Sequence, residues 1–349
     1  MTTAVIDFEA LSVEDQCARL RRLAEVALGQ WTGGWRVVRL IKYRENAVFE
    51  VVDDAGGRAV LRLHRNGYHD DRSLRSELLW MDALAKAGVA VPILIRAADG
   101  EPFVKAALAD VPEPRQVDMF AWIDGAPLAT ITDPARLPAI YHDVGRLAAR
   151  MRLQSEGWTP PKGFVRHAWD RAGLLGAKSN WGDYRALPAL TPAQLALLDL
   201  ASAAAQEQLG ALAGQGYGLI HADFVADNLL YGPQGLRVID FDDCGYGWYM
   251  FELATALFFH IGEDHYPAVE AALLAGYRSV APLPDQDWAT LPLFSFLRSL
   301  TYLGWITSRP ETPTAREGAA SMVVLATTLA EAYLATRTTR PSPSLVAGA

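Results

Sequence analysis

The strand-like segments of this 349-residue chain are concentrated in its first third. Five runs there are rich in β-branched and apolar residues, and one run between them has helical periodicity; in chain order the six are WRVVRLI, AVFEVVD, RAVLRLHR, SLRSELLWMDALAKAG (the helix), VPILIRA and RQVDMFAWI. From about residue 127 onward, apolar residues recur at helical spacing in one segment after another. This segregation predicts an α+β fold with a small antiparallel-sheet lobe and a larger, mainly helical lobe.

The same change of pattern sets the predicted domain boundaries. An N-terminal helix with a capping-box-like start at Ser12 is expected within residues 1–30. The small lobe covers residues 31–124, and the helical lobe covers residues 125–338. Residues 339–349 have the composition of a disordered tail. Two lobes of this kind commonly bind ligands in the cleft between them.

Charge and cysteine usage exclude several classes of protein. The net charge of −8 argues against a nucleic-acid partner, because surfaces that bind phosphate backbones are usually basic. Cys17 and Cys244 lie far apart and lack metal-ligand spacing, so we predict neither a zinc site nor a disulfide framework, and a cytoplasmic location. The apolar run LPLFSFLRSLTYLGWIT is interrupted by Arg298 and is too short to span a bilayer, which predicts a buried helix and no membrane association.

One strand hairpin interrupts the helical half of the chain, in the segment HADFVADNLLYGPQGLRVIDFDD. Antiparallel pairing about its proline-containing turn would set Asn228 beside Asp240, and Asp223 can curl back toward the same point. Carboxylates gathered in this way repel one another unless a cation or a proton lies among them. Oxygen ligands of this kind suit Mg²⁺, and Mg²⁺ together with phosphate implies phosphoryl transfer, with Asp223 accepting the proton of an attacking hydroxyl.

The pair of segments HADFVADNLL and VIDFDD resembles the H-x-D-x-x-x-x-N motif and downstream metal-binding Asp of the aminoglycoside phosphotransferase and choline kinase-like family, relatives of the protein kinases. The resemblance covers roughly residues 30 to 335. It implies a protein-kinase-like two-lobe fold, with ATP or GTP as the phosphoryl donor and Mg²⁺ as the metal. It also implies that Asp223 is the catalytic base, that Asn228 and Asp240 bind the metal, and that His221 braces the loop.

A kinase-like small lobe needs a basic side chain on its third strand and an acid on the next helix to hold it. Val60, Arg62 and His64 share one face of the third predicted strand, and Arg62 takes the place of the family's basic residue. Glu77 takes the place of the acid. An alternative is that Arg62 and Glu77 form an ordinary surface ion pair.

The resemblance also implies the residues that contact the nucleotide. Val60 would cover the adenine ring, and Asn46 lies in YRENAVFEV, which resembles the family's loop over the phosphates. The segment MFAWIDG resembles the hinge, near residues 120–125, whose backbone would pair with adenine between Ala121 and Ile123.

The chain departs from the family pattern at two positions. Ala222 replaces the Gly that the family commonly has between the His and the Asp, a change from which we expect little effect. Glu252 stands where the family often has Asp, and its role stays open. Asp242 and Asp243 are expected to face solvent or cap the next helix, and we leave both outside the catalytic set.

The expected acceptor is a hydroxyl group of a small molecule, of the aminoglycoside, amino alcohol or hydroxy amino acid type. Trp169, Trp181 and Tyr184 either line the acceptor side or serve packing. Two alternatives are a protein serine/threonine kinase resembling the bacterial stress-response kinases, and a catalytically silent nucleotide-binding regulator. The presence of the base and of both metal ligands argues against the silent regulator. The oligomeric state is not predicted.

Overall fold

The structure is a computed structural model that describes residue 8 and residues 10–338, so the predicted tail 339–349 lies outside the described residues. The helices of this part are α1 Val13–Leu28, α2 Asp71–Lys86, α3 Leu137–Gly157, α4 Arg171–Leu175, α5 Pro192–Ala211, α6 Tyr249–Leu257, α7 Tyr266–Arg278, α8 Asp285–Trp288, α9 Leu291–Ser308 and α10 Pro313–Thr338. The strands are β1 Arg36–Tyr43, β2 Ala47–Val52, β3 Arg58–Leu63, β4 Val104–Leu108, β5 Val111–Ala121, β6 Ala126–Pro127, β7 Ala168–Trp169, β8 Tyr217–Ile220, β9 Leu229–Gly232, β10 Gly235–Val238 and β11 Gly245–Trp248. The predicted α+β fold class is confirmed.

The chain divides into two compact units, each built from several segments. The first unit contains the chain up to Ala126 together with Trp158–Arg166 and Leu230–Asp242. The second unit contains Pro127–Gly157, His167–Leu229 and the chain from Asp243 onward.

An antiparallel sheet in the strand order β1-β2-β3-β5-β4 forms the centre of the first unit. Alternate residues of its strands point to one face and pack there with α1, because the side-chain period of a strand is two. This core includes Leu20, Leu23, Ala24, Phe49, Val51, Leu61, Val117 and Met119. The helix α1 begins as predicted, since the Ser12 side chain accepts the N–H of Asp15.

The prediction of a strand at VPILIRA is wrong, and the strand β4 was not predicted from the sequence. Residues 91–97 form one isolated bridge, between Leu94 and Phe120, flanked by two backbone hydrogen bonds to β5. Pro92 has no N–H group and cannot extend this pairing. The edge position belongs instead to β4, whose sequence VKAAL is poor in β-forming residues and gave no clear strand signal.

The hairpin of β9 and β10 belongs to the first unit, and its turn lies at Pro233 and Gln234 as predicted. The N–H of Val238 donates to the carbonyl of Ala90, at 3.1 Å. The ring of Phe241, just after the hairpin, packs edge-on against Trp80 of α2, with 5.6 Å between the ring centroids. The segment that carries Asp240 is therefore anchored to the helix that carries Glu77.

Helices dominate the second unit. The helices α3 and α7 approach closely at Gly145 and Gly276: a Cβ atom added at Gly276 would lie 1.9 Å from the carbonyl oxygen of His142. The predicted buried helix is α9, which packs against α6 and α10, and most of its residues are buried. The short strands β7, β11 and β8 pair in that order and support the segments before and after the hairpin.

The helix α10 has the length and composition of a membrane span over Pro313–Arg337, with a mean hydropathy of 1.4. It packs along α9 and α5, where Tyr333 stacks on Phe296 and its hydroxyl donates to Gln208 at 2.9 Å. Core helices of soluble proteins also reach this hydropathy, so a single such helix does not indicate a membrane protein.

Candidate active site

The loop between β8 and β9 is held by a buried carboxylate. Glu252 of α6 accepts the backbone N–H groups of His221 and Ala222, at 2.7 and 2.9 Å. Burial raises the pKa of Glu252, although the neighbouring His221 and these two N–H groups oppose the shift. His221 is also buried, and its Nδ1 accepts the N–H of Asp223 at 3.3 Å. Glu252 therefore braces the loop between β8 and β9, a role that the sequence had left open.

Ala222 has a backbone φ of +68°, in the left-handed region that glycine adopts without cost. A residue with a Cβ atom is strained there by roughly 1–2 kcal/mol. The expectation that Ala in place of Gly has little effect is therefore wrong for the backbone. Asp240, with a φ of +64°, is the other non-glycine residue with positive φ in the described part of the chain. Strain of this kind commonly accumulates at functional sites.

Asp223 is held through both of its carboxylate oxygens. Arg298 of α9 donates from Nη2 to Oδ1 at 2.7 Å, and Asn228 donates from Nδ2 to Oδ2 at 2.8 Å. Asn228 also donates from Nδ2 to the backbone carbonyl of Asp223, at 2.9 Å. Asn228 thus uses its amide nitrogen on Asp223, and its amide oxygen is the atom that can accept a cation. The Asp223 side chain is 24% exposed, so the carboxylate can meet a ligand.

Arg62 lies on β3 directly opposite Asp118 of β5. It donates from Nη2 to Glu77 at 2.7 Å and from Nε and Nη2 to Asp118 at 3.1 and 2.7 Å. Its Nη1 lies 3.9 Å from Oδ1 of Asp240. The predicted contact with Glu77 is present, and a second carboxylate shares the guanidinium. The surface ion-pair alternative is wrong, because the side chains of Arg62, Glu77 and Asp118 are 7%, 0% and 0% exposed.

Asp242 is buried, so the expectation that it faces solvent or caps a helix is wrong. Its backbone carbonyl accepts a hydrogen bond from Arg166, and one carboxylate oxygen lies 3.7 Å from Nδ1 of His64. His64 contacts Asp118 through Nε2 at 3.0 Å. Burial lowers the pKa of His64, but Asp118 and Asp242 together outweigh it and the pKa rises to about 9. His64 in turn helps to hold the pKa of Asp242 below its usual range.

These residues form a buried charge cluster, which consists of the cations Arg62, His64 and Arg166 and the anions Glu77, Asp118 and Asp242. Three positive and three negative charges balance. His69, Glu77 and Asp242 have potential metal-ligand atoms within 4.8 Å of one another. A cation there would be repelled by the Arg166 guanidinium, 3.7 Å from Glu77, so the cluster does not need a metal. Asp240 adds a fourth carboxylate at the edge of the cluster, 3.9 Å from Nη1 of Arg62, and its side chain is 39% exposed.

The other residues predicted to bind nucleotide are also in the first unit. Asn46 accepts the N–H of Arg65 at 2.9 Å and donates to Asp242 at 3.3 Å, so it joins its loop to the buried charge cluster. Val60 is half-buried on β3. The N–H of Ala121 donates to the carbonyl of Ile93 and is therefore not available to adenine. Its carbonyl and the backbone of Ile123 stay candidates for the predicted hinge contact.

The aromatic side chains considered for the acceptor side are buried in the second unit. Trp169, Trp181 and Tyr184 are 0%, 6% and 3% exposed, so packing is their main role. The indole N–H groups of Trp169 and Trp181 donate to the backbone and the carboxylate of Asp243, each at 2.9 Å. Asp243 is half-buried and hydrogen-bonded, which corrects the expectation that it faces solvent or caps a helix.

Sequence reasoning missed the partners that hold the site. Asp118 and Arg298 each carried a signal, because Asp118 is the charged residue within the run VDMFAW and Arg298 is the one charged residue of α9. Such a residue is rarely buried without a partner. Arg166 lies in an irregular segment and gave no signal of this kind.

Each unit, taken by itself, has features of a protein-kinase-like phosphotransferase: a strand arginine held by a helix glutamate in the first, and an H-x-D-x-x-x-x-N loop in the second. The model of the phosphotransferase enzyme family matches residues 37–294, and the chain belongs to this family. The predicted family and enzyme class are confirmed.

Relatives and solved structures agree with this assignment. The chain is 34% identical to a microcompartment-associated aminopropanol kinase, with a TM-score of 0.80 over 91% of this chain and 99% of the other. It is 27% identical over 295 residues to a homoserine kinase of Mesorhizobium japonicum, covering 80% of this chain and 85% of the relative. An amicoumacin kinase in complex with AMP-PNP and Ca²⁺ shares the fold, with 19% identity and a TM-score of 0.71 over 92% of this chain and 94% of the other.

Proposed function

We propose that this protein transfers the γ-phosphoryl group of ATP to a hydroxyl group of a small molecule in the presence of Mg²⁺. The observation that carries the proposal is the Asp223 carboxylate, held through both oxygens yet 24% exposed. A carboxylate oriented in this way is suited to receive a proton from an acceptor hydroxyl. The kinase names of the relatives and the AMP-PNP complex of the amicoumacin kinase support the choice of a nucleoside triphosphate.

Asp223 orients the acceptor hydroxyl and takes its proton as the oxygen attacks the γ-phosphorus, while the bond from the γ-phosphorus to the bridging oxygen breaks and ADP leaves. Phosphoryl transfer passes through a loose transition state, so positioning and charge neutralisation supply most of the catalysis. His221 and Glu252 keep the loop of Asp223 in place through buried hydrogen bonds.

Arg62 is proposed to neutralise the donor phosphates. Glu77 and Asp118 occupy its Nε and Nη2, which leaves Nη1, near Asp240, to reach a phosphate oxygen. A planar guanidinium that is fixed on one side by two carboxylates cannot swing away from the nucleotide. Val60, Asn46 and the backbone of Ala121 and Ile123 are proposed to lie around the nucleotide, as the family resemblance implies.

The residues present fit a divalent cation. Asn228 has an amide oxygen to offer, and Asp240 has a carboxylate that is 39% exposed and brings a fourth negative charge beside the three cations of the cluster. Oxygen ligands of these two types suit Mg²⁺, and we propose both residues as its ligands. A bound cation would neutralise charge on the phosphate oxygens during transfer.

The proposed acceptor carries an amine as well as a hydroxyl group, as an amino alcohol or a hydroxy amino acid does. The aminopropanol kinase and the homoserine kinase support this choice, because both names specify acceptors of that type.

The test is a phosphoryl-transfer assay with γ-labelled ATP, Mg²⁺ and a panel of amino alcohols and hydroxy amino acids, followed by a metabolite extract. Asp223→Ala should lower turnover by roughly 10²–10⁴-fold, the usual contribution of a general base, while nucleotide binding persists. Asp227→Ala is the matched control, because Asp227 is an exposed acid of the same loop. Undiminished turnover in Asp223→Ala would contradict the assignment of the base. Label only on protein would favour a protein kinase, and no label would favour a silent regulator.

A further inference from the structure

Arg298 is the one charged residue in the sequence of α9, and its side chain is 1% exposed. A guanidinium buried in an apolar helix costs several kcal/mol unless charge and hydrogen bonds compensate for it. A methionine or leucine would fill the same space without this cost. The arginine therefore needs a reason beyond packing.

The compensation for Arg298 comes mainly from one residue. Its Nη2 donates to Oδ1 of Asp223 at 2.7 Å, and its Nη1 makes a longer contact of 3.4 Å to the carbonyl of Ala222. The face of Trp181 lies 4.7 Å from the guanidinium carbon. Nε is buried and has no hydrogen-bond partner among the described residues. An arginine that served only the fold would be expected to have a more complete set of partners.

We propose that Arg298 is a positioning residue that holds the carboxylate of Asp223 in the orientation required for transfer; this inference rests on the proposed function. Arg298 binds one carboxylate oxygen and Asn228 binds the other, so the plane of the carboxylate is fixed. Each oxygen of a carboxylate can accept about two hydrogen bonds, so the acceptor hydroxyl still finds a lone pair. Without Arg298 the carboxylate would be held on one side only and could rotate away from the hydroxyl.

The orientation of Asp223 matters because transfer through a loose transition state depends on the placement of the attacking oxygen. A misplacement of about 1 Å can cost roughly 10²-fold in rate. Arg298 should therefore affect kcat, and it should leave the KM for ATP nearly unchanged because its contacts are to Asp223, Ala222 and Trp181, none of which is proposed to bind the nucleotide.

The first test compares Arg298→Met with Arg152→Met. Arg152 is the control in the second unit: its side chain is 18% exposed, and it donates to Glu156 at 2.8 Å and to Tyr277 at 3.2 Å, neither of which belongs to the loop between β8 and β9. Arg298→Met should lower kcat by roughly 10²-fold at saturating substrates. Its KM for ATP should stay within about twofold of the wild-type value. Arg152→Met should change stability but not kcat per folded molecule.

The second test is chemical rescue. Arg298→Ala leaves space for a guanidinium ion, and millimolar ethylguanidinium should restore part of its kcat while Asp223→Ala stays inactive. The rescue is measured as kcat per nucleotide-binding molecule, a readout that a role in folding alone would not change. If Arg298→Met or Arg298→Ala does not fold, Arg298→Lys serves as the test. Lysine keeps the positive charge but lacks the planar, forked guanidinium group, so this variant should fold and have a lowered kcat.

The inference would be overturned if Arg298→Met had the wild-type kcat per nucleotide-binding molecule. If the Met and Ala variants do not fold, the same result in Arg298→Lys would overturn it. A lowered kcat in Arg298→Ala that ethylguanidinium does not improve would also count against it. Turnover retained in Asp223→Ala would show instead that the proposed base is wrong. An inactive Asp223→Ala beside a fully active Arg298→Met would refute only the role of Arg298.

Discussion

Asp118→Asn is the substitution that most directly tests the buried charge cluster. Asp118 is fully buried and accepts hydrogen bonds from Arg62 and His64. Asparagine has nearly the same shape but carries no charge. The change leaves the three cations of the cluster facing only two carboxylates, Glu77 and Asp242. We expect destabilisation of about 3–5 kcal/mol near neutral pH, the usual cost of removing one partner of a buried ion pair.

The pH dependence of this loss follows from His64. Burial lowers its pKa, but Asp118, with help from Asp242, more than compensates, and the pKa in the folded protein is about 9, against 6.5 for an ordinary histidine. The protonated ring stabilises the folded state fully below pH 6.5, and that stabilisation is lost as the pH rises through 9. A shift of this size corresponds to about 3 kcal/mol. In Asp118→Asn the ring loses its main partner, so most of this dependence should disappear.

The assay is urea unfolding of both proteins at pH 6.5 and pH 9. The destabilisation caused by Asp118→Asn should be larger at pH 6.5 than at pH 9, by about 3 kcal/mol. Asp82→Asn is the control, because Asp82 forms an exposed ion pair with Arg96 that is worth about 0–1 kcal/mol. An equal loss of stability in wild type and Asp118→Asn between the two pH values would refute the assignment of charge to His64.

Two further substitutions test the close helix contact and the loop brace. Gly276→Ala should destabilise the protein by about 1–3 kcal/mol in urea unfolding, because its Cβ would lie 1.9 Å from the carbonyl oxygen of His142. Gly318→Ala is the control and should be neutral or stabilising, because a Cβ there would have no atom within 4 Å. Equal effects of the two substitutions would contradict this packing argument. Glu252→Gln should lower both kcat and the urea midpoint of unfolding. The wild-type carboxylate accepts hydrogen bonds from two loop N–H groups, and the NH₂ of glutamine would face one of them. An unchanged kcat would mean that this contact of Glu252 does not affect catalysis.

Much of the fold could be predicted because its signals are local. The helix α1 starts at its Ser12 cap, and β2, β3 and the turn at Pro233 lie where the pattern placed them. The edge position of β4 could not be predicted in this way. Its sequence is weakly β-forming, and its place depends on pairing with β5.

The same distinction between local and long-range signals applies to the residues of the candidate site. The spacing of His221, Asp223 and Asn228 is a property of one loop, and the contacts among these residues are made within that loop. Arg298 comes to Asp223 from a helix far along the chain, and periodicity alone gave no indication of this contact. Arg298, which interrupts the apolar run of α9 in the sequence, is also the residue that contacts the carboxylate of the proposed base.

The sequence by itself determined the class of fold, the candidate catalytic loop and the enzyme family, because these depend on short patterns and on spacing along the chain. Only the tertiary structure decided which charges are buried and which partners they have. Arg62 is shared by Glu77 and Asp118 because β3 lies beside β5 and α2 packs nearby, and Asp242 is buried because His64 and Arg166 reach it from other segments. The free energy of a charge removed from water depends on every group packed around it, wherever those groups lie in the sequence.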